Sequence, residues 1–186
     1  MNVGFALCGS FCTFHRVFPI VELLSRDYQV TPILSEAAYT IDSRFGTAAE
    51  HIETLREICD KEPLHTLAQV EPIGPKKLFD ILVIAPCTGN TLAKLASSIA
   101  DGPVTMAAKS HLRNGRPILL AVSTNDALAG AAENIGKLLG RKHYYFVPFG
   151  QDDAQNKPTS MVADFTKLPQ ALDLALEGKQ IQPILF

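Results

Sequence analysis

With 186 residues, the chain is long enough for one domain with a sizeable core and too short for a two-domain dehydrogenase carrying its own substrate domain. Hydrophobic residues make up 47% and charged residues 19%, with 12 Gly and 12 Pro, which excludes disordered, collagen-like and coiled-coil classes. Seventeen Lys+Arg against 19 Asp+Glu give a formal net charge of -2, so the electrostatic footprint of a nucleic-acid binder or a polybasic membrane anchor is absent.

Short apolar, β-rich runs at 3–8, 29–34, 81–85, 117–122 and 144–147 alternate with helical patterns, the rhythm of an α/β fold. Val17, Ile20, Val21 and Leu24 recur at helical spacing, as do Ile52, Leu55, Arg56 and Cys59, and later Leu168, Ala171, Leu172 and Leu176. The run Ile81-Leu82-Val83-Ile84-Ala85 is apolar throughout, as a central parallel strand covered on both faces must be. The pattern predicts a Rossmann-like, doubly wound parallel sheet with helices on both faces, forming a single domain over 1–186. Two stretches are irregular: 61–77, where 64–70 reads as a short strand between turns, and 148–160, a polar loop long enough to be functional.

No apolar run approaches the roughly 20 residues that span a bilayer, and residues 1–10 have no basic region ahead of their apolar stretch, so a cytoplasmic protein is expected. Cys8, Cys12, Cys59 and Cys87 form neither a CxxC pair nor a zinc-spaced cluster, which predicts free thiols and no metal site.

Ligands of doubly wound sheets bind beyond the carboxyl ends of the strands. Three turns there are small and hydroxyl-rich: Gly9-Ser10 after the first strand, Ser35 after the second, and Pro86-Cys87-Thr88-Gly89-Asn90-Thr91 after the central one. Glycine admits close backbone approach, hydroxyls donate hydrogen bonds, and free amides at a helix start favour phosphate, so the three together suggest a mononucleotide site. Gly4 and Gly9 have P-loop spacing, but Ser10 and Phe11 stand where that motif needs Lys and Ser/Thr; the GxGxxG dinucleotide fingerprint is also missing.

The string Ala85-Pro86-Cys87-Thr88-Gly89-Asn90-Thr91-Leu92-Ala93-Lys94-Leu95-Ala96, followed by Asp101, resembles the APxSANTxAKxAxGxxD signature of the flavin-binding family that includes phosphopantothenoylcysteine decarboxylase. Thr88 and Gly89 depart from its usual Ser and Ala. The resemblance implies an FMN-binding domain that assembles into trimers or dodecamers. It places Gly9, Ser10, Ser35 and Thr91 at the phosphate, and Pro86, Cys87, Thr88 and Asn90 near the ribityl chain or flavin ring.

The decarboxylases of the family have a histidine where ungapped counting back from Asp80 reaches Pro72, and a PxMNxxMW substrate motif where this chain reads Val122-Ser123-Thr124-Asn125-Asp126-Ala127-Leu128. Cysteine decarboxylation is therefore disfavoured; the alternatives are another enzyme of the flavin family, a decarboxylase or prenyltransferase, or a non-catalytic regulatory homologue, although the acidic tail of such regulators is missing. The strings Ser43-Arg44-Phe45-Gly46, Glu71-Pro72-Ile73-Gly74-Pro75-Lys76-Lys77 and Val147-Pro148-Phe149-Gly150-Gln151-Asp152-Asp153 resemble one branch of the family, the flavin-type subunit of a two-subunit oxidoreductase of spore-forming bacteria. That branch implies oxidation of a cyclic dicarboxylate in the mother cell, with NAD(P) on a dehydrogenase-like partner subunit.

A dicarboxylate needs cations. Arg44, in the loop after the second strand, is the preferred candidate, with Lys109, Arg113 and Arg116 as others; His15, close to the first turn, is a candidate proton donor. Lys94 is expected to face the flavin region or a neighbouring subunit, and Asp101-Gly102-Pro103 to stop one helix and start the next.

Overall fold

Every residue of Ile81–Cys87 is buried, because helices lie on both faces of the sheet and leave this strand no wet side. The computed structural model describes residues 1–186. In chain order the elements are β1 (Asn2–Leu7), α1 (Phe14–Asp27), β2 (Gln29–Leu34), α2 (Glu36–Thr40), α3 (Ala48–Cys59), α4 (Leu67–Val70), β3 (Ile81–Cys87), α5 (Gly89–Ala96), α6 (Pro103–Leu112), β4 (Ile118–Thr124), α7 (Ala132–Leu139), β5 (Tyr144–Phe146), β6 (Phe149–Gly150), β7 (Met161–Ala163) and α8 (Leu168–Leu176). No helix is long and apolar enough to cross a membrane.

Local chemistry sets the helix ends. Thr47 and Glu50 form a reciprocal capping box at the start of α3, and Gly102 followed by Pro103 opens α6. On α3 the buried face is Ala48, His51 and Leu55, while Arg56 turns outward to Glu62 at 2.6 Å. On α1 it is Phe14, Val17, Val21 and Leu24, an i, i+3, i+7, i+10 stripe laid against the sheet. Each such aliphatic side chain contributes about 2 kcal/mol on burial.

Five strands run parallel in the order β2-β1-β3-β4-β5, and chain order reverses direction between β1 and β3. That reversal opens a crevice at the carboxyl ends of β1 and β3, where ligands of this architecture bind. Gly4 belongs to the packing of β1 rather than to any phosphate loop: a Cβ there would lie 2.6 Å from the Phe79 ring.

The two irregular stretches fold differently from expectation. The 64–70 strand does not form. Leu64 alone bridges to Ile33 at the β2 edge, and Thr66 with Gln69 then caps α4, a helical start that outcompetes extension. At the start of the 148–160 loop, β6 forms a short antiparallel pair with β7, which follows the loop, and β7 joins the end of β4 through Ser123 and Thr124. The sheet is thus mostly, not wholly, parallel.

Candidate functional site

Two clefts meet at the carboxyl ends of β1 and β3, and Gly9, Thr88 and Asn90 line both. The first, about 550 Å³, runs between the starts of α2 and α5 and is lined by Ser35, Thr91, Lys94 and Asp101 among others. The second, about 770 Å³, opens toward β4 and β7 and is lined by Ser10, Arg44, Ser123, Thr124, Asp126 and Lys157 among others.

In the first cleft, hydroxyls double as helix caps. Ser35 Oγ accepts the Ala38 amide at 3.2 Å, which leaves its own proton to a ligand, whereas Thr88 Oγ1 accepts the Thr91 amide at 3.4 Å and donates to Thr91 Oγ1 at 3.1 Å. Thr91 is buried and its hydroxyl donates to Cys8 Sγ at 3.2 Å, tying α5 to the end of β1. Burial pushes the Cys8 thiol up to about 11, the Thr91 and Thr88 hydrogen bonds offsetting only part of that rise. A Cβ at position 9 would come to 3.3 Å from Ala37 Cβ, so the bare glycine keeps the cleft floor open. At the rim Lys94 Nζ pairs with Asp101 Oδ1 at 2.9 Å, which draws the Asp101 carboxyl below its ordinary range through hydrogen bond and charge.

In the second cleft, the floor is the contact of Ser10 Oγ with Ser123 Oγ at 2.7 Å. The Thr124 hydroxyl donates to Asp126 Oδ1 at 2.5 Å. The chain before α3 carries Arg44 in a tight turn in which Ser43 and Gly46 exchange backbone hydrogen bonds at 3.0 and 3.2 Å. Gly46 has φ +127°, and a Cβ there would sit 2.6 Å from His51 Cε1, so this turn requires glycine. The Arg44 guanidinium lies 4.8 Å from the Phe45 ring centroid. In the same cleft Lys157 pairs with Asp152 at 3.3 Å, and its loop is pinned where the Thr159 hydroxyl donates to the Asn125 carbonyl at 2.7 Å. Burial raises the Asp152 carboxyl, but the Ser160 hydroxyl, its own backbone and Lys157 together leave it below its ordinary value.

The structure brings together Gly9, Ser10, Ser35, Thr88, Asn90 and Thr91 at the clefts, with Arg44 and Lys157 both lining the second. Pro86 and Cys87, expected beside the ligand, lie instead inside β3 and line neither cleft, because the strand runs on to residue 87 between its covering helices. His15 is exposed on α1 and also lines neither cleft. Arg116 is committed elsewhere: its guanidinium donates to the carbonyls of Lys77 and Phe79 and faces Asp80 at 3.5 Å, at the amino end of β3. Arg113 packs beside Gly74, and Lys109 lines a separate, more apolar hollow with Leu95, Ile99 and Tyr144. Pro72 sits in the single turn Glu71–Ile73 ahead of β3, away from both clefts. Asp126 stands at a variable position of the stretch set against PxMNxxMW, and Lys157 stands in a polar loop, so the sequence marks neither as a site residue. A charge in a polar loop carries no mark of its target, and only the β4–β7 pairing aims these two inward.

Residues 1–150 match the family model described as Flavoprotein. Over 185 residues, 99% of this chain and 92% of the relative, the sequence is 44% identical to the B subunit of dipicolinate synthase of Bacillus subtilis (strain 168). The crystal structure of the dipicolinate synthase B subunit from Bacillus halodurans superposes with a TM-score of 0.91 at 44% identity, over 100% of this chain and 95% of that one. A dodecameric FMN-dependent UbiX-like decarboxylase from Escherichia coli O157:H7 shares the fold, with a TM-score of 0.64 at 18% identity over 80% of each chain. Matching in sequence along nearly its whole length and in fold over all of it, the chain belongs to the Flavoprotein family and, within it, to the family of the dipicolinate synthase B subunit.

Proposed function

We propose that this chain is the FMN-binding B subunit of a dipicolinate synthase. It acts in the mother-cell cytoplasm during sporulation with the dehydrogenase-like A subunit of that enzyme, which carries NAD(P), and the pair oxidises hydroxy-tetrahydrodipicolinate to dipicolinate. The observation that carries this reading is the junction of two unlike clefts at the β1/β3 crevice: one rich in neutral donors, the other framed by Arg44 and Lys157.

The residues present fit FMN. Ser35 has a hydroxyl proton to give, the bare Gly9 lets backbone approach closely, and α5 begins at the cleft with the Gly89 and Asn90 amides ahead of the capped amide of Thr91. Gly9, Ser10, Ser35 and Thr91 would hold the phosphate end and Thr88 with Asn90 the ribityl chain or ring. Bound FMN supplies a two-electron redox centre at the junction. The protein's own part is to bind and orient. Arg44 and Lys157 both line the second cleft and are the cations available there to the two carboxylates of the substrate, and the Ser10–Ser123 pair offers hydroxyls to the ring's polar atoms.

The exposed Ile41 and Phe45, 48% and 44% accessible, sit at the cleft rims and support closure of the site by another copy in a trimer or dodecamer. The test is to mix the purified chain, FMN, the dehydrogenase-like partner, NAD(P) and substrate and to measure dipicolinate. Formation that requires both proteins is expected; the partner producing dipicolinate equally fast on its own would refute the reading.

A further inference from the structure

Gly89 opens α5 against the end of β4, and a Cβ at this position would lie 2.7 Å from both Thr124 Oγ1 and Asp126 Oδ1. No other residue type fits while those two groups stay where they are. Positions 89 and 124 are also two of the points at which the sequence leaves the family pattern, so the departures are one event in space: removing a methyl makes room for a hydroxyl and a carboxylate. The Thr124 hydroxyl then donates to Asp126 Oδ1 at 2.5 Å and fixes the carboxylate's orientation. Asp126 is half-buried and lines the second cleft together with Ser10, Ser123, Arg44 and Lys157.

The proposed overall reaction has a step for such a group. A hydroxylated tetrahydro ring becomes aromatic by losing one water and one hydride with a proton, and NAD(P) accepts only the hydride. The water must leave by acid–base chemistry, which needs no electron acceptor.

We propose that this chain catalyses the dehydration itself, with Asp126 as the base. The Asp126 carboxylate takes a proton from the ring carbon next to the hydroxyl-bearing carbon. The C–H electron pair becomes the new C=C bond, and the C–O bond breaks with its pair on oxygen. The departing oxygen takes a proton through the Ser10–Ser123 pair, which is resupplied from solvent, and Asp126 later returns its proton to solvent. The net change is loss of one water with no change of oxidation state. The resulting dihydro ring then gives one hydride to the partner's NAD(P) and one proton to water. Thr124 is a positioning residue that acts through Asp126.

This inference rests on the proposed function, and its test separates the two. The full chain, loaded with FMN and mixed with its dehydrogenase-like partner, is given substrate without NAD(P), and loss of water from the ring is followed by rapid quench and mass analysis. The expected result is dehydration well above the buffer rate, reduced about 100-fold by Asp126→Asn, with FMN titration and thermal unfolding unchanged. Thr124→Val, which frees the carboxylate to rotate, is expected to lower the dehydration rate at saturating substrate while leaving KM nearly unchanged. Gly89→Ala keeps every functional group but displaces the pair, and is expected to lose at least about tenfold; it serves where Asp126→Asn fails to fold. Dehydration no faster than in buffer, or undiminished in both Asp126→Asn and Gly89→Ala, while the pair still makes dipicolinate once NAD(P) is added, overturns this inference alone. No dipicolinate with NAD(P) present overturns the functional reading on which it rests.

Discussion

Ser10 Oγ and Ser123 Oγ meet at 2.7 Å, joining the turn after β1 to the end of β4 across 113 residues. Because β3 lies between β1 and β4, this bond passes over the mouth of the central strand and closes the floor of the second cleft. Ser123 is buried and has this one side-chain partner. Ser123→Ala is therefore expected to cost about 1 kcal/mol, read as a lower urea midpoint with an unchanged slope. A variant as stable as the parent would show that the bond contributes nothing net.

The carboxyl-terminal segment completes the sheet with a side chain. Gln180 Oε1 accepts the Phe146 amide at 2.8 Å, and its Nε2 donates to the Phe146 carbonyl at 2.7 Å, so the amide mimics the next strand along the β5 edge. Phe146 is fully buried, so Gln180→Ala leaves two backbone groups unpaired and is expected to cost about 2–3 kcal/mol. Gln180→Glu keeps the acceptor but loses the donor, and should fall between Gln180→Ala and the parent at neutral pH.

Part of this is legible in the sequence. The central strand reads clearly because a parallel strand covered on both faces has no polar alternation to confuse it. The hydroxyl-rich turns read clearly because they stand between a strand run and a helix pattern. The apolar run alone ends β3 at residue 85 and leaves Pro86 and Cys87 to a ligand-facing turn; the pairing with β4 in fact shifts register between Ile84 and Cys87 and continues. The pair β6–β7 is invisible because two- and three-residue strands show no period. With it go Lys157 and Asp126, whose place in the cleft follows from β4 leaving β5 after Leu120 and pairing with β7 from Ser123.

Acid should weaken the fold through His111. Burial first, with the Arg116 charge adding to it, brings this imidazole down to about 4, even though its Nε2 meets the Pro117 carbonyl at 3.0 Å. Below the ordinary value of 6.5 the unfolded chain takes up a proton that the folded chain refuses. Stability is therefore complete above about pH 6.5 and falls as pH drops toward about 4, by roughly 3 kcal/mol in all. His51, also lowered by burial, acts in the same direction. His111→Gln keeps a donor for the Pro117 carbonyl and removes one titration, so its urea stability should decline less steeply between about pH 7 and pH 5. An unchanged slope would exclude His111 as a source.

Thiol reactivity should divide by burial. Cys8 and Cys87 are buried, their thiols pushed up chiefly by desolvation, whereas Cys12 is exposed. Only a thiolate attacks an alkylating agent. Iodoacetamide on the native protein, read by peptide mass, is expected to label Cys12 quickly and to leave Cys8 and Cys87 untouched until denaturant is added. Early labelling of Cys8 would mean that its bond from Thr91, and with it the α5 side of the first cleft, opens readily.

The central claim is that the clefts meeting at Gly9, Thr88 and Asn90 hold FMN, and the most direct test is a titration of the purified chain with FMN, followed in the visible absorption spectrum beside the Asn90→Asp variant. Asn90 is exposed at the junction, so the substitution adds a carboxylate facing an anionic ligand without disturbing the core. Saturable binding by the parent, a Kd raised at least about tenfold in the variant, and equal thermal unfolding of the two apo-proteins are expected. A parent that leaves the FMN spectrum unchanged at saturating concentration, or a variant that binds FMN as tightly as the parent, would contradict it.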